Sequence, residues 1–237
     1  MKLIVYKGKF IAGVVLIVSF LAALFVILSP VFDGQTGLEY ADNLFNELTK
    51  QSSYCIPKVA KKASEFDGQN LMVKVKTKEQ SEAEGIAAVC KARGASAEIG
   101  KNAVIVNGDL GRLSTAALRD ADAVFKGRDA ELPAAYGCDG RAAMRYWWMV
   151  FDAERKQCIR EGNSAEADFM KSVLGKGLEP AYNFVGIEPA KISERVGVVI
   201  LLLVGYVVYT IWWGVGIMYI FEGLGVISSK ALEKREA

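Results

Sequence analysis

Two long stretches of this chain carry no charged side chain, and they lie near its two ends. One runs from Phe10 to Phe32 and the other from Val196 to Phe221. As helices they would extend about 35 Å and about 39 Å, enough to cross a hydrocarbon core about 30 Å thick. The alternative is a buried helix of a soluble protein, but apolar runs of this length are seldom anything except membrane spans. The first stretch also has the basic start of a signal peptide (Lys2, Lys7, Lys9), yet it is too long for one. Pro30-Val31-Phe32-Asp33 also makes a poor cleavage site. It reads as a retained anchor.

This segregation explains how 52% hydrophobic residues coexist with 24% charged ones. It also gives the expected organisation. Residues 1–9 form a cytoplasmic N-terminus and 10–32 a first transmembrane helix. Residues 33–195 form one extracytoplasmic domain, 196–221 a second transmembrane helix, and 222–237 a cytoplasmic tail. Lys2, Lys7 and Lys9 precede the first span, and Lys230, Lys234 and Arg235 follow the second. The stretch just past the first span, Asp33 to Glu47, has acids and no base. By the positive-inside rule both termini are expected in the cytoplasm, with the central domain periplasmic or extracellular, in a cell inner membrane.

The chain has no histidine, which removes the commonest metal ligand and the default general base. No Cys-x-x-Cys spacing occurs, so neither a thioredoxin-like site nor a zinc ribbon is expected. No catalytic residue, metal ligand or cofactor is assigned. The formal charge of +2, without a basic cluster interleaved with aromatics, gives no sign of nucleic acid. All four cysteines, Cys55, Cys90, Cys138 and Cys158, fall in the expected external domain. An oxidising compartment would permit up to two disulfides, with three pairings open, against free core thiols.

Local patterns fill in the domain. Thr36-Gly37-Leu38-Glu39 is a capping box, and Leu38, Ala41, Phe45 and Leu48 continue it as an amphipathic helix over 36–50. Residues 70–126 read as β-α-β-β-α. A strand alternates over Leu71–Lys76, and a helix carries Ala83, Ile86, Ala87 and Cys90 before Gly94. A hairpin turns at Gly100-Lys101-Asn102, and a helix capped by Ser114 follows. The order suggests a small ferredoxin-like sheet, three strands of which are visible. Residues 138–176 read as a helical hairpin. Asp139 caps a helix to about Arg160 with Met144, Trp148, Phe151 and Cys158 on one face. Ser164 caps a second helix, which Gly175 and Gly177 end. The fold class is thus an α+β membrane protein, with two terminal transmembrane helices around one α/β domain. The aromatics of Glu179–Phe184 are expected at the membrane interface.

Weak motifs are set aside. Asn107-Gly108-Asp109-Leu110-Gly111 matches no nucleotide loop and reads as an ordinary turn. Asp120/Asp122 and Glu166/Asp168 read as solvated faces and cap charges rather than acid/base pairs.

The second span draws attention because Tyr206, Tyr209 and Trp213 fall near one helical face. A tyrosine hydroxyl in hydrocarbon wants a hydrogen-bond partner, so this face should meet protein. Beside it Thr210 and Gly214 form a small-xxx-small pair, as Ser19 and Ala23 do in the first span. The simplest partner is the other span. Two spans cover only part of a helix, so other integral membrane subunits or self-association are expected as well, besides lipid. Glu222 is a carboxylate at or near membrane depth. The preferred reading is a solvated or snorkelling side chain at the headgroups; a functional intramembrane charge is the sharper alternative. The function these features suggest is a non-catalytic accessory or scaffold subunit of an inner-membrane complex. An extracytoplasmic sensor or ligand-binding module anchored at both ends is the alternative.

Overall fold

A computed structural model describes residues 4–226. Two compact units emerge. One contains the described residues up to 45 and from 190 on, and the other contains residues 46–189.

The first unit is built on two apolar helices, α1 (Lys7–Ile27) and α10 (Ile192–Gly223), packed side by side. By length and composition each can cross a membrane. At 1.5 Å per residue they extend about 32 Å and about 48 Å. α1 ends at Ile27, short of Phe32. Phe32 and Gln35 then exchange backbone hydrogen bonds around a tight turn in which Gly34 takes φ +79°. α2 (Gly37–Ser52) begins with the expected capping box. Thr36 N donates to Glu39 Oε2 at 2.8 Å, and Glu39 N donates to Thr36 Oγ1 at 3.2 Å. The phase of its apolar stripe differs from expectation, because Leu44 and Leu48 are buried while Leu38 and Phe45 are exposed.

The second unit holds a three-stranded antiparallel sheet. β1 (Asn70–Lys76), β2 (Ser96–Ile99) and β3 (Ala103–Asp109) lie in the order β1-β3-β2. The register pairs Asn70 with Asp109 and Lys76 with Ala103 across β1 and β3. It pairs Ser96 with Asn107 across β2 and β3. β1 and β2 therefore run parallel on either side of β3, joined by α4 (Gln80–Ala92), as in a split β-α-β unit. Leu71, Val73 and Val75 face the core, while Met72, Lys74 and Lys76 are exposed, a period of two with one covered face. β3 runs three residues beyond the expected strand, so Asn107-Gly108-Asp109 is its end rather than a loop.

α5 (Leu110–Phe125) starts directly from β3. Its cap is Asp109, whose carboxylate accepts from Arg112 N at 2.8 Å. Ser114, the cap expected from sequence, is fully buried inside the helix. Two short helices were not anticipated, α3 (Ile56–Ala63) and α6 (Leu132–Tyr136). α7 (Gly140–Glu161) is capped by Asp139 as predicted, accepting from Ala142 N at 2.7 Å. It packs on β1, α4 and α8 (Ser164–Val173).

The glycines after α8 do not stop the chain. Leu174–Leu178 form a π-helical turn that leads into α9 (Glu179–Asn183). Gly177 leaves room there for Leu118, whose Cδ2 would stand 2.5 Å from a Cβ and would have to shift to admit one. Trp147 and Phe151 of α7 are fully buried at the centre of the core, whereas Trp148 remains 37% exposed. Met144, Phe151 and Cys158 lie on the buried face as expected, and Trp148 alone is misplaced, its neighbour Trp147 taking the inner position. Phe184, expected at a membrane interface, packs edge-on to Phe125 at 6.3 Å.

Candidate functional site

The paired apolar helices meet through glycine. A Cβ on Gly13 would stand 2.7 Å from Ile220 N, and one on Gly223 would stand 2.6 Å from Phe10 Cα. One on Gly216 would meet Ile17 Cδ1 at 2.9 Å. Larger residues at these points would separate the backbones, the close approach that small residues permit between membrane helices. Between the glycines Phe20 of α1 is wedged against aromatic rings. It stacks on Tyr209 at 4.1 Å and leans on Trp213 at 4.7 Å. Tyr209, Gly216 and Gly223 recur every seven residues, a signal present in the sequence but overlooked beside Thr210 and Gly214.

The structure divides the expected α10 face. Tyr209 and Trp213 are turned to Phe20, while Tyr206 is 70% exposed. Thr210 Oγ1 donates to Tyr206 O at 2.8 Å, a helix-internal bond. Gly214 has open space around it, with nothing within 4 Å of a built Cβ. The small pair Thr210/Gly214 thus takes no part in the α1–α10 contact. Glu222 lies at the end of this pair of helices and accepts from Lys9 Nζ at 2.5 Å. Beside it Gly223 O accepts from Val5 N at 2.9 Å and Tyr6 N at 3.0 Å. The carboxylate therefore helps tie the start of the chain to the end of α10.

In the globular unit all four cysteines are free, so no disulfide forms. They sit on separate elements. Cys55 precedes α3, Cys90 is buried on α4, Cys138 precedes α7, and Cys158 is buried on α7. Burial pushes the Cys90 and Cys158 thiols up to about 12, so both remain protonated and unreactive.

The polar groups that sequence reasoning missed are internal. Asp120, read as a solvated charge, is 2% exposed. Its carboxylate accepts from Arg93 Nη2 at 2.6 Å, from Trp147 Nε1 at 3.1 Å and from the Tyr136 hydroxyl. Arg93 Nε also donates to the Tyr136 hydroxyl at 2.5 Å. These four residues come from α4, α5, α6 and α7, and no short-range spacing announces them. Glu82 is similarly buried and pairs with Arg145.

Glu154 has no such cation. It is 6% exposed, its Oε1 accepts from Cys158 Sγ at 3.6 Å, and its Oε2 has no hydrogen-bond partner among the described residues. Burial raises its pKa, opposed by the hydrogen bond from Cys158 and reinforced by the nearby carboxylates of Glu161 and Glu166. Lys50 of α2 is 3% exposed and donates to Phe184 O at 3.0 Å and Ile187 O at 2.5 Å. Burial lowers its pKa, opposed by Glu188.

Of the clefts along α7, two lie against its neighbours α8 and β1. The larger, about 1090 Å³, runs between α7 and α8 and is bordered by Trp148, Ile159, Lys171 and the π-turn residues Leu174 and Lys176. The smaller, about 380 Å³, lies between α7 and β1. Among the described residues no group of three or more His, Cys, Asp or Glu is placed to hold a metal ion.

The arrangement defines a mixed helix-sheet protein with a small antiparallel sheet and two apolar helices long enough to cross a membrane. No protein-family model, curated protein or solved structure matches the chain.

Proposed function

We propose that this chain is a non-catalytic accessory or scaffold subunit of a bacterial-type inner-membrane complex. In this reading α1 and α10 span the bilayer, both termini are cytoplasmic and the globular unit, with its ferredoxin-like strand order, is periplasmic. One observation carries the reading. α1 occupies a single side of α10, and the neighbouring side, with Tyr206, Thr210 and Gly214, is left open. A tyrosine hydroxyl and a small-residue pair at membrane depth suit a helix of another subunit better than lipid tails.

The test is purification of the tagged full chain in mild detergent, with mass spectrometry of what accompanies it. Integral membrane proteins should co-purify and should be lost on Gly214→Leu. A Cβ at this position meets nothing within 4 Å among the described residues, so the fold should be unaffected. A monomer that runs alone in native electrophoresis would refute the proposal. The second reading, a ligand-binding or sensor module anchored at both ends, draws on the cleft between α7 and α8, because π-helical turns are rare and frequently border functional sites.

A further inference from the structure

We infer that the smaller cleft, between β1 and α7, binds a small organic anion, a phosphate or carboxylate carried on a compact apolar body. The site is independent of whether the chain belongs to a larger assembly. Lys74 and Lys76 stand on the exposed side of β1, and Lys156 and Arg160 reach the same cleft from α7. Asp152 is the one acid lining it, and it is already engaged by Arg155 at 3.1 Å and Lys156 at 2.5 Å. Lys74, Lys76 and Arg160 line the same cleft and form no salt bridge with a carboxylate among the described residues. Like charges lining one cleft repel one another, and an anion seated in it would relieve that repulsion.

The remaining lining is apolar: Val75 from the strand, Met149 and Ala153 from the helix, and the ring of Trp148. A cavity of about 380 Å³ falls in the size range of small-molecule sites, roughly 300–1,000 Å³. An apolar lining with a few convergent charges is the usual composition of such sites. Lysines on an edge strand often serve only to repel other strands. That role does not account for these, since α7 already packs along β1 and half of the cations come from the helix.

The test uses the full-length chain in an uncharged detergent. It is titrated by calorimetry and tryptophan emission with inorganic phosphate, inorganic pyrophosphate, citrate and phenyl phosphate in turn. At least one probe should saturate with a Kd below roughly 1 mM. Its affinity should weaken about tenfold in Lys74→Gln/Lys76→Gln, and also on adding salt. Both lysines are exposed, so the double variant should fold normally. Lys58→Gln/Lys61→Gln, on the exposed side of α3, should bind like the unmodified chain. Tighter binding of pyrophosphate than citrate assigns a phosphate group, and the reverse assigns a carboxylate. Phenyl phosphate binding more tightly than inorganic phosphate would locate the apolar body in the cleft. Absence of saturation with every probe, or equal weakening in the two double variants, would overturn the proposal.

Discussion

The α1–α10 pair and the globular unit solve the same packing problem with opposite materials. In the globular unit, faces are chosen by the contrast between apolar and polar residues. Leu71, Val73 and Val75 go inside because Lys74 and Lys76 cannot. In α1 and α10 nearly every residue is apolar, so hydrophobicity has no face to prefer. Contact is instead decided by where backbones can come close, at Gly13, Gly216 and Gly223. Polar groups divide in the same way. The globular unit buries Asp120 among three donors, while the apolar pair keeps its two carboxylates, Glu194 and Glu222, at the two ends of α10, near Lys191 and Lys9.

Breaking each unit separately tests this contrast. The largest effect is expected from Asp120→Ala. It strands the buried indole N–H of Trp147 and the buried phenol of Tyr136 and removes the partner of the partly exposed Arg93 guanidinium, and each buried donor left unpaired costs about 1–3 kcal/mol. Denaturant unfolding followed by near-ultraviolet dichroism should show that loss, while the helical signal of α1 and α10 persists. A simultaneous loss of both would show that the units are not separable.

Gly13→Leu should do the converse at about 1–3 kcal/mol, the usual cost of overpacking. In a background lacking the native cysteines, Phe20→Cys and Tyr209→Cys should cross-link readily, and adding Gly13→Leu should abolish the link. The midpoint of the globular unit's unfolding should not move. Retained cross-linking would mean that the glycine contact is not what holds the helices together.

The smallest effect concerns Glu154. Burial raises its pKa, so the folded state holds the proton more tightly than the unfolded state. Stability should therefore fall as pH rises from the ordinary glutamate range through the raised folded value. Glu154→Gln should remove that slope and gain about 1 kcal/mol above it, read as thermal midpoints across pH. A slope unchanged by the substitution would assign the pH dependence to other groups.

Much of this was legible before the fold was known, for physical reasons. Charge-free length marks α1 and α10, since a span must contain its own hydrogen bonds and exclude charge. Short-range chemistry marks the capping box at Thr36 and Glu39, the cap at Asp139, the alternation of β1 and the β2–β3 hairpin. These depend on residues a few positions apart. The readings failed where the deciding neighbour lies far along the chain. Asp120 looks solvated on its own helix and is buried only because Arg93, Tyr136 and Trp147 arrive from three other elements. Gly175 and Gly177 look like a helix end, yet the chain continues as a π-turn, with Leu118 of α5 close against Gly177. The cysteines share a domain in sequence but stand on different elements, so proximity, which composition cannot supply, leaves them unpaired. By itself the sequence determined the two apolar helices, the strand and helix order and several caps, because hydrophobic length and local hydrogen bonding are properties of contiguous residues. Only the tertiary structure decided which face of α10 meets α1, which carboxylates are buried and where cations converge, because those depend on which distant segments pack together.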